Sequence, residues 1–184
     1  LLTLGAFTAL ILNEAGLHII IAAPIAIVIA AVLFGWGQNK VLWRPLRRRK
    51  TGLIAMMIIT IGLAIVIRYG VALFFGGAPR NFNQYAGQAG IEIGPVSTTP
   101  KALILAGLAT IALILTVIWV QRSRIGKATR AVSDNPALAS ATGIDVEKVI
   151  AVVWTLAAGL AAFSGIYLGL TQDNIWNMGQ RVLL

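Results

Sequence analysis

The chain has 184 residues, 58% hydrophobic and 11% charged, with a mean hydropathy of +0.86, a composition that excludes an ordinary soluble domain and marks an integral membrane protein. It has no cysteine, which excludes a disulfide framework and a cysteine-ligated metal site. A net charge of +9 would suit nucleic acid, but the bases cluster beside apolar segments, and no nucleic-acid partner is expected.

Leu1–Leu12, LLTLGAFTALIL, is apolar yet shorter than the ~20 helical residues a bilayer core requires. We read it as the tail of a truncated membrane-embedded segment. Val182–Leu184 resembles the start of another apolar run, so the sequence is expected to be a piece of a longer chain. Asn13, Glu14 and Gly16 form an outer turn, and residues 17–36 make the first complete span, with His18 as an interfacial residue at its outer end. Residues 37–52, GQNKVLWRPLRRRKTG, are expected to be a loop, with Trp36 and Trp43 at the inner interface and Arg47–Lys50 facing anionic headgroups.

The second span is predicted over 53–75, where the long stem of Arg68 reaches the outer interface. The Gly- and Pro-rich stretch 76–100 reads as an outer loop in which Ala89–Val96 alternates weakly, as a small hairpin does. Residues 102–120 form the third span and 148–170 the fourth. In the fourth, Ala157, Ala161, Gly165 and Gly169 recur every four residues, with Ala158 and Ala162 alongside. Small residues at that spacing let membrane helices approach closely. Beyond it lie Asp173 and Trp176, on the outer side.

Six of the 15 basic residues fall between Lys40 and Lys50, and five between Arg122 and Lys148. Both clusters abut spans, which places loops 37–52 and 121–147 in the cytoplasm by the positive-inside rule. Two spans separate them, so the parity agrees.

Between the third and fourth spans lies a polar interlude, Arg122–Gly143, RSRIGKATRAVSDNPALASATG. Its bases extend the third helix past the membrane surface. Asp134 or Asn135 then caps a new helix that starts at Pro136, since proline lacks an N–H that the first turn leaves unpaired anyway. Gly143 stops it in the left-handed conformation. A helix this short needs its flanks and a partner to hold it.

Apart from His18 and Arg68 near the outer ends, and Lys148 at the inner start of the fourth, the complete spans carry no acidic or basic side chain for intramembrane chemistry. No metal-binding HExxH, GxSxG nucleophile motif or phosphate-binding glycine loop occurs. These absences argue against an enzyme and leave a gated pathway energised from elsewhere.

The segment GKATRAVSDNPALASATGIDVEKVIAVVWTLAAGLAAFSGIYLG closely resembles the cytoplasmic loop and following helix of permease subunits of branched-chain amino acid ABC importers. The match rests on Gly126, Ala128, Arg130, Ala131, Asn135, Pro136, Ala139, Gly143 and Ile144. LTLGAF, WRPLRR, TIGLAIVIR and FGGAPRNF match upstream, in order. The resemblance implies an all-α polytopic helix bundle of the ABC-importer permease type, in the cell membrane, with no cofactor of its own. It also implies that the interlude is a coupling helix docking on a cytoplasmic ATPase. Gly126, Arg130, Ala131, Asp134, Asn135, Pro136, Ala139 and Gly143 then belong to the coupling loop, with Ala137, Ala139 and Ala141 allowing close contact. The implied partners are ATP-binding cassette subunits, a second permease as homo- or heterodimer, an extracytoplasmic solute-binding protein and membrane lipid. A urea or short-amide permease, or an ATP-independent channel, are the alternatives. Parts of the transport pathway are expected in glycine-rich segments outside this sequence, and the substrate-binding residues stay open.

Overall fold

In a computed structural model the described residues are 1–76, 78, 80, 82, 91–93, 96–171 and 174, without the side chains of residues 91–93, 96–98 and 101. The helices in chain order are α1 (Leu2–Glu14), α2 (Ile19–Arg48), α3 (Leu53–Phe75), α4 (Pro100–Arg122), α5 (Arg124–Asp134), α6 (Pro136–Ala141) and α7 (Val146–Thr171). Four of them, α2, α3, α7 and the Ala102–Arg122 part of α4, are long and apolar enough to cross a membrane. The chain is an all-α, multi-pass membrane protein. The hairpin expected at Ala89–Val96 falls a little later: β1 (Ile91–Ile93) pairs antiparallel with β2 (Val96–Thr98), Glu92 opposite Ser97. Residues 89, 90, 94 and 95 lie outside the described residues, as do Asp173, Trp176 and Val182–Leu184.

The chain forms two compact units, residues 1–86 with 154–184, and residues 87–153. In the first, α1 and α2 form an antiparallel pair. The turn between them is held by the Asn13 side chain donating to the Leu17 carbonyl at 2.9 Å. His18 caps α2, its Nδ1 accepting the Ile20 amide. The core brings Phe7, Ala9 and Leu10 of α1 together with Ile19, Ala22 and Ala26 of α2, Val71 of α3, Phe82, and Ile166 of α7. The Phe7 and Phe75 rings lie 4.7 Å apart.

Helix α2 differs from the expected loop at 37–52, because it stays helical to Arg48. Polarity marks where the lipid ends, not where the helix ends, and Gln, Lys, Leu and Arg are all good helix formers. At 30 residues and ~1.5 Å per residue it is roughly 45 Å long, well beyond the ~30 Å hydrocarbon core. Its lower part widens into π-helical turns at Ala31–Gly37 and Asn39–Trp43 before α-helical turns resume at Arg44–Arg48. Lys50, at φ +50°, and the Thr51 side chain, bonded to the Leu46 carbonyl, then end it.

One side of this helix meets α7 at successive positions. Ile27 and Ala31 approach Gly159. A Cβ on Gly35 would lie 2.7 Å from the Thr155 Cα. The Trp43 ring stacks on Trp154 with centroids 5.5 Å apart and planes 20° from parallel. Asn39, 2% exposed, accepts from Arg47 Nη2 at 2.9 Å. With its amide oriented to satisfy both neighbours, Gln38 donates to the Phe34 carbonyl and accepts from Trp43 Nε1.

Candidate functional site

The interlude Arg122–Gly143 lies in the second unit, and its shape is set by three corners. At the first, Ser123 ends α4 and begins α5, its hydroxyl accepting the Gly126 amide at 2.9 Å. The chain turns so tightly there that Gly126 sits against the Val120 backbone, and a Cβ would meet the Val120 carbonyl carbon at 2.6 Å. Arg130 closes the corner from the next turn by donating to the Gln121 carbonyl at 3.3 Å.

The second corner joins α5 to α6. Ala131 is half-buried, and its carbonyl accepts the Asn135 amide. Asp134 is the exposed last residue of α5, and Asn135 is the cap, its Oδ1 accepting the Leu138 amide at 3.0 Å. Pro136 is the first residue of α6.

The third corner ends α6. The Ile144 amide bonds the Ala139 carbonyl and the Gly143 amide bonds the Ser140 carbonyl, with Gly143 at φ +87°. This paired closure needs a left-handed residue, which glycine adopts at least cost. Asp145 then caps α7 by accepting the Lys148 amide at 3.1 Å, and that bond, with the Lys148 ammonium 3.2 Å away, holds its carboxyl below the usual aspartate value.

The arrangement gives α6 two faces. Pro136, Ala137, Leu138, Ser140 and Ala141 are exposed, while Ala139 is buried at 3% exposure. Ala139 lies two positions from Ala137 and Ala141 and so on the side of the helix away from theirs. Leu138, 63% exposed, stands out on the exposed side. Its signal in the sequence is that it is the one large apolar side chain in PALASA, masked by the small residues around it.

Along α7, Gly165 packs on the Leu2 carbonyl and Gly169 on the Asn174 side chain. Ala158 and Ala162 are buried, Ala162 against Gly5, whereas Ala157 is exposed and Ala161 half-buried. Elsewhere in the first unit, Arg80 pairs with Glu14 at 3.3 Å and exchanges two backbone hydrogen bonds with Asn174. The Arg80 guanidinium also lies 5.9 Å from the Phe75 ring centre. None of these long-range partners was legible in the sequence.

The described residues thus form a multi-pass helical chain with a capped short helix between two apolar spans. The profile of one family, described as branched-chain amino acid transport system / permease component, matches residues 1–184. The chain belongs to that family. The high-affinity branched-chain amino acid transport system permease protein LivH of Salmonella typhimurium is 31% identical over 155 residues, 82% of this chain and 50% of that protein. LivH of Escherichia coli K12 is 29% identical over 160 residues, 85% of this chain and 51% of that protein. BraD of Pseudomonas aeruginosa, a permease protein of the same description, is 28% identical over 167 residues, 86% and 52% of the two chains. The chain thus spans about half the length of the relatives it matches. No solved structure matches it. Family and apolar helices together make it a multi-pass protein of the inner membrane.

Proposed function

We propose that this chain is part of the membrane permease of an ATP-driven importer for leucine, isoleucine and valine, and that α6 is where ATP hydrolysis on a partner subunit is transmitted to the spans. The observation that carries the coupling role is the exposed face of α6. A six-residue helix has no stability of its own, yet this one is capped at both ends and presents Leu138 outward. A single exposed leucine is ordinary; on a preformed helix between two spans it suits a groove in a cytoplasmic ATPase. Gly126, Arg130, Ala131, Asn135 and Gly143 hold the loop's shape, and Asp134, Pro136 and Leu138 lie at the contact. Ala139 supports the helix from within. A second permease and an extracytoplasmic binding protein complete the assembly, and Ala158, Ala162, Gly165 and Gly169 pack the spans.

The names of the relatives, which specify branched-chain amino acids, support this substrate. The test is uptake of labelled leucine into vesicles carrying the full-length permease and its partners, with and without ATP. Unlabelled valine should compete, and urea and acetamide should not. Replacing Asp134 with lysine and Pro136 with arginine should lower uptake at least tenfold while membrane insertion is retained. Full uptake by that variant would refute the coupling role, competition by urea or acetamide instead of valine would move the substrate, and flux without ATP would indicate a passive channel.

A further inference from the structure

Helix α5, RIGKATRAVSD, sorts its side chains by side more sharply than the longer helices do. At roughly 100° per residue, Ile125, Ala128 and Val132 share one side of it, and Arg124, Lys127 and Arg130 share the other. The three bases are exposed. On the apolar side Ile125 is 37% exposed, while Ala128 and Val132 are half-buried.

Two contacts fix the level of this helix. Gly126 lies against the Val120 backbone and the Arg130 side chain bonds the Gln121 carbonyl, so two positions four apart on α5 both return to the last turn of α4. Had the chain continued along the α4 axis, Arg130 would stand about 13 Å beyond Gln121, at ~1.5 Å per residue. The bases of α5 therefore do not extend α4 away from the membrane, because α5 turns across its end. That end is where apolar surface gives way to polar: Ile118 and Val120 are 46% and 37% exposed, and Gln121 and Arg122 follow. Trp119, in the same turn, is of the residue type enriched at membrane interfaces. A two-sided helix with bases on its polar side, held at that level, has the composition of one that lies in the interface with its apolar side toward the acyl chains. Its charge complements a leaflet containing anionic lipid.

We propose that α5 lies in the bilayer surface at which α4 ends, with Ile125, Ala128 and Val132 toward the acyl chains and Arg124 and Lys127 toward water. Because α6 begins two residues after α5 ends, the same contact fixes how far α6 stands from the bilayer. Spin labels on single cysteines test it. Ile125→Cys, Val132→Cys and Lys127→Cys are made in a full-length permease without other cysteines and reconstituted in vesicles of phosphatidylglycerol and phosphatidylcholine. Collisions are measured with oxygen, which concentrates in lipid, and with a water-soluble nickel chelate. The oxygen-to-nickel ratio should be at least threefold higher at positions 125 and 132 than at 127. Leu113→Cys, in the middle of α4, is the lipid reference and should give the highest ratio of all. Ratios at 125 and 132 within threefold of that at 127 mean that the apolar side meets water. Labels at 125 and 132 that neither reagent reaches mean that protein covers this side. Either result overturns the proposal, and Val132→Cys alone carries the comparison if Ile125→Cys is not recovered.

Discussion

Gly126 shows how much a single position can depend on what surrounds it. Its backbone is helical, so no unusual dihedral demands glycine. The demand comes from Val120, whose carbonyl occupies the space a side chain would need. Because backbone cannot swing aside as a flexible side chain can, Gly126→Ala should force the α4–α5 corner open at about 1–3 kcal/mol, the range for overpacking. Gly107, in the middle of α4, has nothing within 4 Å of where a Cβ would stand, so Gly107→Ala should be neutral or slightly stabilising. Thermal unfolding of the two variants in detergent separates them, with a fall of roughly 2–4 °C per kcal/mol for a chain of this size expected only for Gly126→Ala. The sequence pattern marked Gly126 without a reason. The reason is the turn at Ser123, which brings the Val120 backbone, six residues back, against Gly126. Asn135, Pro136 and Gly143, in contrast, were legible, because caps, first-turn prolines and left-handed glycines act on the backbone within a few residues of themselves.

At the scale of elements, the four membrane-crossing helices follow directly from apolar length, but which face of each is packed does not. The every-four stripe Ala157, Ala161, Gly165, Gly169 illustrates why. Over three such steps an α-helix turns its stripe by roughly 120°, so one stripe cannot stay on one neighbour. In α7 the contact passes from Ala158 and Ala162 to Gly165 and Gly169, leaving Ala157 exposed. The π turns of α2 are likewise invisible in composition. The two alanine registers give a sharp comparison. Ala162→Leu places a large side chain where Gly5 and the α1 backbone already lie, and should destabilise by about 1–3 kcal/mol or more. Ala157→Leu, on an exposed position, should stay within about 0.5 kcal/mol. Thermal melts of the two leucine variants, side by side in the same detergent, measure this. A larger loss for Ala157→Leu than for Ala162→Leu would mean that the small-residue contact runs along the other stripe.

For the whole molecule, orientation rests on charge rather than on packing. The eleven bases between Lys40 and Lys50 and between Arg122 and Lys148 flank spans within the distance over which basic residues set topology. The two clusters reinforce each other because two spans, α3 and α4, separate them. Each cluster alone would orient its neighbours, and no single substitution reverses the sum. In single-cysteine variants of this cysteine-free chain, a membrane-impermeant maleimide added to intact cells should therefore label position 14 and leave positions 49 and 133 unmodified until the membrane is permeabilised. The same pattern should persist when Arg48, Arg49 and Lys50 are all replaced by glutamine, since three bases remain in the first cluster and five in the second. Labelling of position 133 in intact cells would invert the molecule and carry α6 to the side without ATP. Orientation is thus the condition on which the coupling role depends, and it can be measured without any transport assay.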